Sequence, residues 1–133
     1  MKRVVVTGMG LVTPLGCGIA ANWTNLISGK SGARKISKFD ASNFKCQVAC
    51  EVPQESDISG SFIASEWIDK KEVKKIDEFI KFSLAAAEQA FQQSKLSCID
   101  DPASHRAGCI IGSGMGGLPG IEDTAISFNK GKK

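Results

Sequence analysis

The run Arg3-Val4-Val5-Val6-Thr7-Gly8-Met9-Gly10 constrains the fold more than any other stretch. Three consecutive valines cannot place alternate residues in water. The pattern predicts a strand covered on both faces, as in the parallel sheet of an α/β protein. Gly8 and Gly10 allow a sharp turn or a close backbone approach at its exit. Pro14 and Gly16 close the segment before a helical pattern begins. The dinucleotide-binding fingerprint does not fit. Thr13 stands where its third glycine belongs, and no acidic residue ends a second strand about 20 residues on.

A second stretch repeats the theme. Ala107 to Ile111 reads as another buried strand, and Gly112-Ser113-Gly114-Met115-Gly116-Gly117 follows it. So much glycine means that backbone approaches a ligand or another segment closely. A phosphate-binding loop is excluded, because Leu118 occupies the lysine position.

Between these stretches, Ile19, Trp23, Leu26 and Ile27 mark one face of a short helix, with Gly29 placed to end it. Residues 28–38 read as loop, and residues 53–61 as polar and irregular. Phe44, Cys46, Val48, Cys50 and Val52 alternate with polar or small residues, predicting a half-exposed strand stopped by Pro53. Residues 70–94 predict one long helix capped by Asp69, with Glu72 completing a capping-box variant. Its core-facing stripe is Val73, Ile76, Ile80, Leu84, Ala87 and Phe91, widened by Phe79 and Ala90. Residues 95–105 read as loop, and residues 121–128 as the beginning of a further helix.

Composition narrows the function classes. The chain has 133 residues, is 42% hydrophobic and 23% charged, and reads as one soluble domain without an internal boundary. Its net charge of +3 is a tail effect: setting aside Lys130, Lys132 and Lys133 leaves 14 basic and 14 acidic residues. No arginine stripe with interleaved aromatics suggests nucleic acid. No segment is long and apolar enough to span a bilayer, and no signal-peptide order is present, so a cytoplasmic location is expected. Cys17, Cys46, Cys50, Cys98 and Cys109 form no C-x-x-C pair and have no histidine at ligand spacing, so no metal site is expected. Cys46 and Cys50 lie about 13 Å apart if extended, too far to bridge. The thiols are expected to be reduced and mostly buried. No spacing supports a catalytic pair of Cys17 with His105, the single histidine.

Lys70, Lys71, Lys74 and Lys75 crowd the start of the long helix. Cations there oppose the helix dipole by typically 0.3–1 kcal/mol each, so local stability alone prefers acids. Asp69, Glu72, Asp77 and Glu78 offset this, leaving either a mixed solvated face or a docking patch for an acidic partner.

Taken together, RVVVTGMGLVTPLG at the start, Gly29 to Gly32, Phe39-Asp40, KKEVKKIDEFIKFSLAAAEQA and IIGSGMGG resemble a known family, in order and at compatible spacing. They resemble the N-terminal portion of the elongating, type II β-ketoacyl-acyl-carrier-protein synthases of fatty acid biosynthesis. The resemblance implies part of a thiolase-like fold, layered α/β around a central mixed sheet, in a homodimeric acyltransferase. It implies a decarboxylating Claisen condensation without metal or organic cofactor, the substrates riding on the phosphopantetheine arm of acyl carrier protein. The family's nucleophilic cysteine and two histidines match no residue here, so no catalytic residue is expected in this chain. The 133 residues alone are expected to be an inactive piece of an enzyme. The resemblance places Lys70, Lys71, Lys74 and Lys75 at carrier-protein docking, and Met115 in the loop lining the acyl pocket, where ordinary core packing is its alternative role. A non-catalytic subunit of the chain-length-factor kind and a stand-alone α/β binding module are the rival expectations.

Overall fold

The computed structural model describes residues 2–54, 59–96 and 104–131. Cys98 and Asp100 to Pro102, within the expected loop, and Lys132 and Lys133 lie outside the described residues. In order, the elements are β1 (Val12–Thr13), β2 (Gly16–Cys17), α1 (Ile19–Ile27), β3 (Arg34–Lys35), β4 (Val48–Ala49), α2 (Lys70–Val73), α3 (Glu78–Ser94) and α4 (Leu118–Asn129). Two antiparallel sheets pair β1 with β2 and β3 with β4. The chain is therefore α/β, with small sheets and a dominant α3.

The valine run does not form the buried parallel strand its pattern predicts. Residues 2–11 are extended without a strand partner, and Val4 and Val6 are 93% and 80% exposed. Ala107 to Ile111 is likewise unpaired, with Ile110 fully exposed. A strand is made by its neighbour's backbone hydrogen bonds, and among the described residues no strand pairs with either run.

What holds the opening segment is α3. The side-chain oxygens of Gln93 and Gln89 accept from the backbone N–H groups of Met9 (2.7 Å) and Leu11 (3.1 Å). Two glutamines one turn apart thus serve alternate residues of an extended chain, as a neighbouring strand does. Contact is close because Gly8 and Gly10 lack side chains. A β-carbon on either would lie 1.9 Å from the carbonyl oxygen of Ala90 or Ala86. The face of α3 that meets the opening segment is consequently Ala86, Gln89, Ala90 and Gln93, whereas Leu84 and Phe91 of the predicted stripe are 45% and 39% exposed. Hydrophobic periodicity marks Ala90 of this face but is blind to the amide groups of Gln89 and Gln93 that bind the segment.

The tight hairpin β1–β2 turns at Pro14-Leu15, in the register Val12 with Cys17 and Thr13 with Gly16. Its corner is organised by Asn22, the buried member of α1. Asn22 Nδ2 donates to the carbonyls of Gly16 (2.9 Å) and Gly18 (2.8 Å), and its Oδ1 accepts from the Thr13 hydroxyl. Asn25 Nδ2 donates to the Leu15 carbonyl at 2.6 Å, and Arg34 reaches the Pro14 carbonyl at 3.2 Å. α1 thus forms where its periodicity predicts but faces the hairpin with its asparagines. Trp23, Leu26 and Ile27 are 58–67% exposed. Gly29 ends α1 as expected, at φ 70°, donating to the Leu26 carbonyl while Lys30 donates to that of Asn25.

The predicted strand over residues 44–52 shrinks to β4. Its partner β3 lies within the predicted loop, where Arg34 pairs with Ala49 and Lys35 with Val48. The cysteines also depart from expectation: Cys46, Cys50 and Cys109 are exposed, and Cys17 is half-buried. Among the described residues, Ala41, Phe62 and Ala85 are buried, with Phe62 meeting Phe82 edge to face at 5.0 Å.

The predicted single helix over 70–94 is two. Asp69 caps α2 as expected, its Oδ1 accepting from Lys71 N–H at 2.8 Å. The helix stops after one turn, and Asp77, extended at φ −67° and ψ 160°, begins α3. α4 starts at Leu118 with Pro119 in its first turn, where a missing N–H costs nothing, three residues before the expected start.

Candidate functional site

The two stretches singled out for chemistry converge at the α2–α3 junction. Lys70 and Lys71 stand on α2, Lys74 is its C-cap, and Lys75 follows; all four are exposed. Lys75 Nζ pairs with Glu72 Oε1 at 2.7 Å. Because α2 is a single turn with a small dipole, and Asp69 and Glu72 lie at its start, these lysines face little of the opposition a long helix imposes.

Two residues beyond Lys75, Asp77 meets the glycine-rich loop. A β-carbon on Gly117 would lie 1.7 Å from Asp77 Oδ2, and one on Gly120 would lie 3.2 Å from Oδ1. In this rotamer the carboxylate occupies the space a β-carbon at 117 would take, so a larger residue there requires the Asp77 side chain to turn away. Gly117 is the N-cap of α4, so the anion stands at the positive end of that helix. Beyond it opens a largely apolar groove of about 670 Å³, lined chiefly by Phe79, Ile121, Ala125 and Phe128 with Asp77 and Gly117 at one side. Met115, two residues before Gly117, is 73% exposed and is not among the groove's lining residues.

Next to the junction, the first residue of α3, Glu78, is held by the Lys38 ammonium and the Gln54 amide. Burial pushes its carboxyl up, but these donors together bring it below the usual carboxylate range. Cys17, at the end of the hairpin, accepts from Gln89 Nε2 at 3.4 Å. Burial pushes this thiol up, the glutamine partly offsets the rise, and Glu66 adds to it. A thiol held protonated is a poor nucleophile. His105 is exposed, in a single 3-10 turn with Arg106.

Among the described residues no group of three or more His, Cys, Asp or Glu is placed to hold a metal, and no helix is long and apolar enough to cross a membrane. The structure thus brings together the lysine turn, Asp77 and the Met115 loop, and leaves Cys17 and His105 without a shared geometry. Asp77 went unnoticed in the sequence except as a charge offsetting lysines. The signal that marks it is a pair of glycines, 117 and 120, one helical turn apart in a distant segment.

Comparison with known proteins gives this geometry its relatives. The family model of the beta-ketoacyl synthase N-terminal domain matches residues 1–133. The chain is 38% identical over 128 residues to a 3-oxoacyl-[acyl-carrier-protein] synthase 2 of Rhizobium meliloti, covering 96% of this chain and 30% of that protein. It is 41% identical over 121 residues to the protein of the same description from Coxiella burnetii, covering 91% of this chain and 27% of that one. Among solved structures, the ishigamide ketosynthase/chain length factor superimposes with a TM-score of 0.58 at 31% identity, over 70% of this chain and 21% of that one. The chain spans under a third of the length of the curated relatives it matches.

Proposed function

Because the chain belongs to the beta-ketoacyl synthase N-terminal domain family, we propose that it serves a 3-oxoacyl-[acyl-carrier-protein] synthase as the surface that receives acyl carrier protein. The observation that carries this reading is the exposed turn Lys70, Lys71, Lys74 and Lys75, set on the same junction as the Met115 loop. In this reading the lysines meet the acidic carrier, and the Met115 loop bounds the acyl chain carried on the phosphopantetheine arm. A flexible, unbranched Met115 side chain suits a boundary that yields to chains of different length.

The condensation itself needs a nucleophilic cysteine and two histidines. The half-buried, proton-holding Cys17 is unsuited to the first role, and His105 has no partner geometry for the others. The reading therefore assigns those groups to residues beyond this sequence, in a cytoplasmic homodimer that uses no metal or organic cofactor. Exposed Val4, Val6, Ile110 and Phe128 favour a surface covered by further protein over a free-standing module. The chain-length-factor reading keeps one specific support, the likeness to the ketosynthase/chain length factor.

The test is a titration of Lys71→Glu/Lys74→Glu with acyl carrier protein at low salt. Exposed charges contribute about 0.2–1 kcal/mol each and act mainly on encounter, so reversing two predicts roughly tenfold weaker binding, carried by the association rate. Binding equal to that of the unaltered protein refutes the assignment.

A further inference from the structure

Asp77 carries a contact that the docking surface alone does not explain. As the N-cap residue of α3, its backbone carbonyl accepts from Ile80 (3.1 Å) and Lys81 (3.2 Å), the ordinary opening bonds of a helix. Aspartate at such a position normally turns its carboxylate onto its own helix's free N–H groups. Here it makes no such bond. Its oxygens lie instead against Gly117 and Gly120, on the first turn of α4, so closely that no β-carbon fits at 117. One residue thus begins α3 with its backbone and fronts the start of α4 with its side chain.

Its place in the chain gives that contact a consequence. Asp77 lies three residues after Lys74 and two after Lys75, in the non-helical link between α2 and α3. Across the contact, Gly116 and Gly117 directly follow Met115, and a β-carbon on Gly116 would touch the Phe79 ring at 3.9 Å. The Asp77 carboxylate packs directly on Gly117, so a displacement of the lysine turn that reaches Asp77 changes the packing at the start of α4.

We infer that Asp77 is a positioning residue whose carboxylate, lodged against Gly117 and Gly120, couples the lysine turn to the Met115 loop. The inference rests on the proposed docking function and deepens it: carrier protein held at Lys74 and Lys75 is felt at the loop that bounds its acyl chain. The isosteric Asp77→Asn keeps the wedge and removes the charge facing α4. Asp77→Ala removes both.

The experiment is amide hydrogen exchange across residues 112–118, with and without purified acyl carrier protein bearing its phosphopantetheine arm, in the unaltered protein and both variants. Carrier affinity is measured alongside. In the unaltered protein the carrier slows loop exchange roughly threefold to tenfold, the size of coupling that single residues modulate. Asp77→Ala abolishes the slowing and Asp77→Asn loses at least half of it, while carrier affinity stays within about twofold, since neither variant removes a lysine. Should Asp77→Ala fail to fold, Asp77→Asn decides alone. Carrier binding that leaves loop exchange unchanged, or slowing that survives in the folded variants, overturns the coupling. No carrier binding by the unaltered protein overturns instead the docking function beneath it.

Discussion

A β-carbon on Gly10 would lie 1.9 Å from the carbonyl oxygen of Ala86, so the opening segment and α3 meet backbone against backbone. Gly8 repeats the relationship with Ala90 one helical turn later, and Gln89 and Gln93 fill the hydrogen bonds between them. Gly10→Ala therefore forces the segment off the helix and weakens both amide bonds. It is expected to destabilise by about 1–3 kcal/mol, the usual range for overpacking. Gly108→Ala is the control, since nothing lies within 4 Å of its β-carbon; it stays within about 0.5 kcal/mol. Urea midpoints of the two variants check this, and equal midpoints refute it.

Asn22 is buried because its amide donates to two carbonyls of the hairpin corner at once. Asn22→Leu strands those carbonyls and is expected to cost about 2 kcal/mol. Asn22→Asp keeps the acceptor for the Thr13 hydroxyl but loses both donors, so it is expected to be no better than leucine. Thermal unfolding followed by circular dichroism distinguishes them. A well-tolerated aspartate shows that the donors are dispensable.

The Lys38–Glu78 pair predicts a pH dependence of definite sign. Glu78 sits below the usual carboxylate range when folded: burial raises it, and Lys38 and Gln54 more than reverse the rise. Its stabilisation is thus fully present above the unfolded value, about 4.3, and is lost as pH falls through the lower folded value. Because both partners are substantially exposed, the effect is modest. Glu78→Gln is expected to flatten the acid limb of the stability profile. Parallel profiles for variant and unaltered protein across pH 6 to about 3 refute the assignment.

Met115 provides a test of the proposed acyl boundary. If the Met115 loop bounds the acyl chain as proposed, Met115→Trp adds bulk there and is expected to shorten the acyl chains accepted, with carrier affinity unchanged because the lysine turn is untouched. The measurement is the product chain-length distribution from carrier-borne substrates, made with the substitution in a full-length synthase that carries the nucleophilic cysteine and both histidines. An unaltered distribution removes Met115 from the boundary.

Much of this could be read along the chain, and the rest could not, for reasons visible in particular residues. The α1 span, the left-handed Gly29 and the Asp69 cap depend on residues a few positions apart, so local sequence determined them. So did the existence of helical structure over most of 70–94, the crowding of four lysines at its start, and the presence of close backbone approaches at Gly8, Gly10 and Gly117. Sequence alone did not say what each glycine approaches. It assigned Val4 to Val6 a covered strand, and of the α3 face that meets the opening segment it marked only Ala90, because Gln89 and Gln93 carry no hydrophobic signal. It also ran α2 and α3 together, since periodicity continues through Ile76 although the backbone of Asp77 does not. The tertiary structure alone decided these matters. They are settled by pairs such as Gly10 with Ala86, 76 residues apart, and Asp77 with Gly117, 40 residues apart. Propensity and spacing act within a turn or two, whereas excluded volume and hydrogen bonding act between whatever segments the fold brings together.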